Sequence, residues 1–369
     1  MNKKRLDYLD MVKGFGIFLV VLGHMEDIST NTRIWISSFH MPLFFIVSGI
    51  LIAISNEVNK DMTTVFKKKF RGLIIPYLYF SFSYFLIDIL NVTIIGNIDF
   101  HTFIVDTISS ITFYGMSVLW FLPALFRANV SFIFIKKKLN DYCTVVFSLL
   151  IAIFSYIFKL QLVKIYDTYS YSLLITSIIN IVYIFIRGII ALSFVCFAYY
   201  IKKIYDLITD KKNYSKIFCS RIVNIVAGLV LIILNIVLAK INECVDLRNI
   251  LLNNLLIYYA AALTGSFGVI LIFKAFPSIK PLIYIGKNSM IIMVAHVNYY
   301  FLYAGIRLAW IIDPYVKHAK HYVFVAIVLV TIFVLSSIVI EIINRYFPFI
   351  LGKPFENPFK KLMKRGQNE

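Results

Sequence analysis

Residues 9–24 read LDMVKGFGIFLVVLGH, an apolar run with an aspartate and a lysine near its head and a histidine at its end. On a helix the steps from Lys13 to His24 make three turns and about 20°, so the two side chains share a face, roughly 16 Å apart along the axis. Asp10, one turn before Lys13, lies on the same face and is expected to pair with it. Whether this helix is a soluble amphipath or a membrane span is decided by composition. The chain of 369 residues is 60% hydrophobic and 15% charged, with a mean hydropathy of +0.83. Soluble domains carry about a quarter charged residues. Too few polar groups exist here to cover a surface in water. The fold class is therefore all-α, a polytopic membrane protein.

A helix crosses the hydrocarbon core with about 20 apolar residues. Ten such runs occur, at roughly 11–28, 35–55, 72–95, 116–135, 143–162, 172–200, 222–240, 250–273, 282–305 and 322–344. With the N-terminus in the cytoplasm, every inner segment is basic, which satisfies the positive-inside rule and leaves both termini cytoplasmic. The net charge of +18 then follows from topology, and no nucleic-acid partner is expected. MNKKR before an apolar run imitates a signal peptide, but Asp7, Asp10 and Lys13 interrupt it, so a retained first helix is expected. Residues 1–345 read as one transmembrane domain. Residues 346–369 read as a short basic tail able to touch anionic lipid. The cysteines form no C-x-x-C pair, and neither a disulfide framework nor a bound metal is expected. The Ile-, Lys- and Asn-rich composition suits a bacterial plasma membrane.

Ionisable groups inside spans are costly and mark function by default. His24 lies deep or toward the outer side, with Glu26 and Asp27 just beyond it; the plainer reading is an imidazole at the outer interface. In FHMPLFFIVSG (39–49), His40 and Pro42 sit near the outer end of the next span, where His40 approaches His24 or is simply a wetted helix-start residue. FKKKFRGLIIPY (66–77) puts Lys67, Lys68, Lys69 and Arg71 at an inner end, ahead of a helix-bending Pro76. That cluster either sets topology or holds a phosphorylated ligand. In PLIYIGKNSMIIMVAH (281–296), His296 is a second buried imidazole, serving proton transfer if it shares a cavity with His24 and packing if it does not. Arg187, Arg127, Asp88 and Glu341 also need partners.

Taken in order, these stretches resemble the membrane-integral acyltransferase 3 family, and its sugar O-acetyltransferase-like branch in particular. LDMVKGFGIFLVVLGH supplies Leu9, Asp10, Lys13, Gly14 and His24; FHMPLFFIVSG, a basic cluster before IPY, LWFLPALF (119–126) and IGKNSMIIMVAH follow in the family's order. Each piece alone is weak, and five in sequence are specific. Lys13 stands where the family has Arg, which keeps the charge and loses the bidentate fork. The family's Arg-x-x-Arg is matched only by Lys68 and Arg71.

The resemblance implies transfer of an acetyl group from cytoplasmic acetyl-coenzyme A to a hydroxyl of a cell-surface polysaccharide or its lipid-linked precursor. On that reading Lys13, Lys68, Lys69, Arg71 and Arg187 hold the coenzyme. His24 serves as base or acyl carrier, Asp27 or Glu26 orients its ring, and His296 joins the catalytic group. His40, Glu26 and Trp120 face the acceptor. Membrane lipids and other polysaccharide-synthesis proteins are the remaining partners. Two rival classes stay open from the residues alone. A proton-coupled transporter or flippase of a lipid-linked sugar would show no coenzyme A dependence; a membrane scaffold would tolerate loss of both His24 and His296.

Overall fold

The computed structural model describes residues 6–25, 27–96, 98–169, 173–210, 220–312 and 321–354. Among these residues the chain is helical, and one isolated bridge between Asp246 and Leu251 is the sole extended pairing. The helices are α1 (Asp7–Gly23), α2 (Thr30–Ile54), α3 (Met62–Lys69), α4 (Ile75–Leu90), α5 (Phe100–Ile111), α6 (Phe121–Lys138) and α7 (Asp141–Tyr169). They continue with α8 (Leu173–Thr209), α9 (Arg221–Asn242), α10 (Leu255–Ala275), α11 (Lys280–Lys287), α12 (Ser289–Asn298), α13 (Phe301–Ile312) and α14 (His321–Tyr346).

Among the described residues, 8 continuous helical segments are long and apolar enough to cross a membrane, and the pair α12–α13, bent by 65°, makes a ninth. α1 has 17 residues, about 26 Å at 1.5 Å per residue, which is near the lower limit for a span. All ten apolar runs of the sequence therefore fall on helices. The Lys-rich ends of these spans are called inner below, by the positive-inside rule.

α1 is the axis of the bundle. It packs on α2, α10, α11 and α12, and residues on most sides of it are buried. Glycine permits the closest of these contacts: a Cβ on Gly286 would lie 1.8 Å from the Asp10 carbonyl oxygen, and one on Gly14 would lie 2.2 Å from that of Leu282. Small residues let helix backbones approach where lipid supplies no hydrophobic drive. Behind α2, Gly49 meets α8 in the same way, with a Cβ 2.3 Å from the Val195 oxygen. α9 and α14 form the rim, each 22% buried over its apolar window, and present side chains such as Val230 and Val334 outward. Such a face is stable only against lipid.

Two irregular features shape the ends. The third span passes through a π-helical turn at Phe70–Ile74, with Pro76 opening α4 just beyond it. Proline lacks the N–H that an α-helical bond needs, so the ladder slips one residue there. On the outer side, the loop between α9 and α10 is fixed by its own side chains. The Asn242 amide donates to Leu252 O at 3.1 Å, and Asn254 N donates to Asn242 Oδ1 at 3.0 Å.

Candidate active site

Three histidines meet near the outer end, each tied to its own helix in the same way. The Nδ1 of His24 donates to Val20 O at 2.8 Å, that of His40 to Ile36 O at 2.7 Å and that of His296 to Ile292 O at 3.1 Å. A carbonyl can only accept, so each Nδ1 carries the proton and each Nε2 keeps a lone pair. For His24 the bond has a local cause. α1 stops at Gly23, leaving the Val20 carbonyl among the last four without an intrahelical donor, and the ring supplies one. The His24 and His296 rings stand 4.9 Å apart, edge to face at 79°. His296 is 0% exposed, and its Nε2 is buried with no hydrogen-bond partner. An unpaired buried acceptor costs about 1–3 kcal/mol.

His24 and His40 open onto an outer cavity of about 410 Å³, whose walls include Arg33, Trp120, Asp246 and Arg248. Trp120 comes from a short 3-10 turn, Ser117–Trp120. The loop after α9 supplies the roof. Asp246 accepts from Arg248 N at 2.8 Å and from Asn249 Nδ2 at 2.7 Å, which aims Arg248 at the cavity, and Val245 N donates to Ser37 Oγ at 3.4 Å. Arg248 was not among the residues singled out from the sequence. The signal available was the run DLRN (246–249), an Asx-type turn that orders a loop.

A second cavity, of about 160 Å³, runs inward along α1. Lys13 and Ser289 line it together with apolar walls from α2 and α6, and it shares Val20, Met41 and Met293 with the outer cavity. These three side chains form a collar between the two spaces, and methionine is the side chain most able to repack there. Lys13 pairs with Asp10 at 2.7 Å, as its helical spacing implies.

The inner cationic cluster holds a carboxylate that sequence reasoning missed. Glu57, in a 3-10 turn after α2, is 2% exposed and takes Lys68 at 2.5 Å and Lys69 at 2.8 Å. Burial pushes its carboxyl upward, but Lys69 and Lys68 outweigh it and hold the group below the usual carboxylate range. Lys67 and Arg71 make no ion pair among the described residues. The turn Pro348–Leu351 closes on this region, with Gly352 against the Arg71 carbonyl.

Two expected positions move. Arg187 does not sit with the inner cluster. It is 2% exposed, donates to Tyr114 O at 2.8 Å, and stacks 4.1 Å from the Tyr114 ring and 5.6 Å from Trp120. It therefore backs the wall of the outer cavity. Asp27 does not orient the His24 ring: it stands exposed in the turn after α1, and the Val20 carbonyl already occupies Nδ1. Glu26 lies outside the described residues. Among those residues no group of His, Cys, Asp and Glu is arranged to hold a metal.

A family model described as an acyltransferase domain matches residues 6–343. The chain belongs to the acyltransferase 3 family. The match runs from the residue before α1 to the last turns of α14, so it takes in both histidines, both cavities and the cationic cluster. No curated protein and no solved structure matches the chain. As an acyltransferase 3 protein, it is a multi-pass membrane acyltransferase; His24 lines its outer cavity one helical turn beyond the Val20 collar residue, and the buried His296 packs against the His24 ring.

Proposed function

We propose that this acyltransferase moves an acetyl group from cytoplasmic acetyl-coenzyme A to a hydroxyl of a cell-surface polysaccharide or its lipid-linked precursor, in a bacterial cell membrane. The observation that carries the reading is the juxtaposition of His24 and His296, 4.9 Å apart, with His24 on the wall of the outer cavity one helical turn beyond Val20, which belongs to the collar shared with the inner cavity that begins at Lys13. Substrates entering from opposite ends would meet only there.

The inner path suits a thioester donor. Lys68 and Lys69 share the buried carboxylate of Glu57, and Lys67 and Arg71 make no ion pair among the described residues, so the cluster retains positive charge for phosphates. Lys13 adds a cation at the channel mouth. The Lys13–His24 rise of about 16 Å matches an amide-containing arm equivalent to four or five extended residues, about 15–17 Å. The apolar channel wall excludes water from the thioester, which limits hydrolysis.

In the transfer step the acceptor hydroxyl gives its proton to the free Nε2 of His24 as its oxygen attacks the thioester carbonyl carbon. The carbon–sulfur bond breaks, and the departing thiolate takes the proton back, restoring neutral His24. His296 presents a second lone pair beside the imidazolium that forms. His40, Trp120 and Arg248 shape the acceptor side, and Arg187 stiffens Trp120 from behind. Imidazole is suited to this work because its ordinary pKa of about 6.5 lets it exchange protons near neutrality.

The test uses purified protein in lipid discs, labelled acetyl-coenzyme A and cell-envelope glycan. His24→Ala and His296→Ala should each abolish labelling of the glycan. His24 lines the outer cavity, so its variant should keep the thermal midpoint within about 2 °C of wild type, whereas His296 is fully buried and its variant is compared with His296→Gln, which keeps most of the side-chain volume. Full labelling by His24→Ala would end the proposal. Transport of glycan without any dependence on coenzyme A would favour a carrier instead.

A further inference from the structure

A second polar cavity, of about 360 Å³, adjoins the histidine cavity at the outer end. Tyr84, Asp88 and Asn91 reach it from the third span, Asp106 from α5, and Tyr300 from the turn after α12. Ser117 and Arg248 line both cavities and form the partition between them. Apart from Arg248, which also faces the histidine cavity, none of these groups takes part in the transfer step.

Their chemistry is that of a site for hydroxyls. Asp88 is only 8% exposed, and neither it nor Asp106 makes an ion pair among the described residues. The Asn91 side chain gives Asp88 one hydrogen bond, but a carboxylate has about four acceptor sites and never donates, so both keep capacity for donors in whatever fills the space. Arg248 brings a buried Nε that has no partner, an unused donor on the partition itself. Tyr300 is held by donating its hydroxyl to Asn91 Oδ1 at 2.7 Å, and Tyr84 by donating to Val294 O at 2.7 Å. Both phenol oxygens keep bonding capacity. Ser117 and Tyr300 adopt left-handed backbone, at φ 49° and 60°, a strain that persists only where surroundings over-determine it. The volume falls in the range of small-ligand sites.

The alternatives fit less well. An acyl chain would leave two carboxylates desolvated without donors. An anionic ligand would meet two carboxylates against one guanidinium. Burial also pushes the Asp106 carboxyl upward, although Arg248 pulls it down, so the pocket is one where added negative charge is costly. We infer that this cavity is an acceptor subsite for an uncharged, hydroxyl-rich sugar residue that neighbours the one being acylated. The inference rests on the acyl-transfer reading and adds to it which glycan is chosen: a neutral chain at least two residues long, bridging the Ser117–Arg248 partition.

The experiment takes full-length protein in lipid discs, labelled acetyl-coenzyme A, and envelope glycan separated by anion exchange into neutral and acidic fractions. The neutral fraction should be labelled. Asp106→Asn, and separately Ile98→Trp, which fills the pocket from a half-buried wall position, should each raise the half-saturating glycan concentration at least tenfold. Half-saturation by acetyl-coenzyme A should not move, which also shows that the variants fold. Unchanged glycan saturation in both variants, or labelling confined to the acidic fraction, overturns the subsite while leaving acyl transfer intact. If the unaltered protein labels neither fraction, the transfer reading itself fails, before any variant is compared.

Discussion

Replacing Glu57 with glutamine removes one charge from the most buried ion pair at the inner end. Breaking a fully buried pair costs about 3–5 kcal/mol, whereas an exposed pair is worth about 0–1 kcal/mol. Glu57 has both kinds of partner: the Lys69 side chain is 14% exposed and that of Lys68 is 59% exposed. Glutamine keeps one acceptor oxygen for Lys69. The net loss is therefore about 2–3 kcal/mol. At about 2.1 cal/mol/K per residue of unfolding entropy, a chain of 369 residues loses about 3–4 °C of Tm at neutral pH. The acid limb supplies a second check. Because the folded carboxyl lies below its unfolded value, its contribution is complete above the ordinary carboxylate range and vanishes as pH falls through the folded value. Wild type should therefore lose more stability over that acid window than Glu57→Gln, so the two curves converge. Thermal unfolding in detergent followed by tryptophan emission reads both effects. An unchanged midpoint at neutral pH, or two curves that stay parallel into acid, would refute the reasoning.

Three other outcomes follow from the same geometry. Glu57→Gln, by freeing Lys68 and Lys69, should lower the half-saturating concentration of acetyl-coenzyme A severalfold, measured by initial rates; weaker saturation would mean that Glu57 positions the cations instead of competing for them. Met293→Trp should plug the collar, cutting transfer at least a hundredfold while equilibrium dialysis still shows acetyl-coenzyme A bound at the inner cluster; normal transfer would mean that the donor takes another route. Gly286→Ala should force α11 off α1, because its Cβ would lie 1.8 Å from the Asp10 oxygen. Overpacking of this kind costs about 1–3 kcal/mol or more, and an unshifted thermal midpoint would contradict the close packing.

Much of the architecture was legible because membrane spans announce themselves one at a time. Apolar length and lysine placement are local properties, and they put all ten runs on helices. The Lys13–Asp10 pair was legible for the same reason, since i,i+3 neighbours share a face. What escaped was tertiary. The meeting of His24 with His296 depends on α12 lying beside α1, and the glycine pair Gly14 and Gly286, which seats the preceding α11 on α1, favours this without announcing it. Arg187 was misplaced because a cation inside a span carries no sign of depth. α8 has 37 residues, more than a bilayer requires, and Arg187 stands about 33 Å from its inner end at 1.5 Å per residue. Glu57 was overlooked because a glutamate among lysines in a short loop reads as a solvated charge. Only the fold shows that it is enclosed.

The family resemblance also implies a carboxylate, Asp27 or Glu26, that orients the His24 ring. Here the helix does that work itself, through the free Val20 carbonyl at the end of α1. His40 and His296 likewise donate to the carbonyl four residues back in their own helices, which sets three imidazoles in one tautomer without a carboxylate partner. That arrangement avoids the desolvation cost of a carboxylate inside a membrane protein.

A structure of the protein with a thioether analogue of acetyl-coenzyme A that retains the carbonyl would test the central claim most directly. The account predicts a carbonyl carbon within about 3.5 Å of the position a hydroxyl occupies against His24 Nε2, with the arm passing Val20, Met41 and Met293 and the phosphates on Lys68, Lys69 and Arg71. A donor seated elsewhere, or one whose carbonyl stops short of the collar and cannot reach His24, would contradict it.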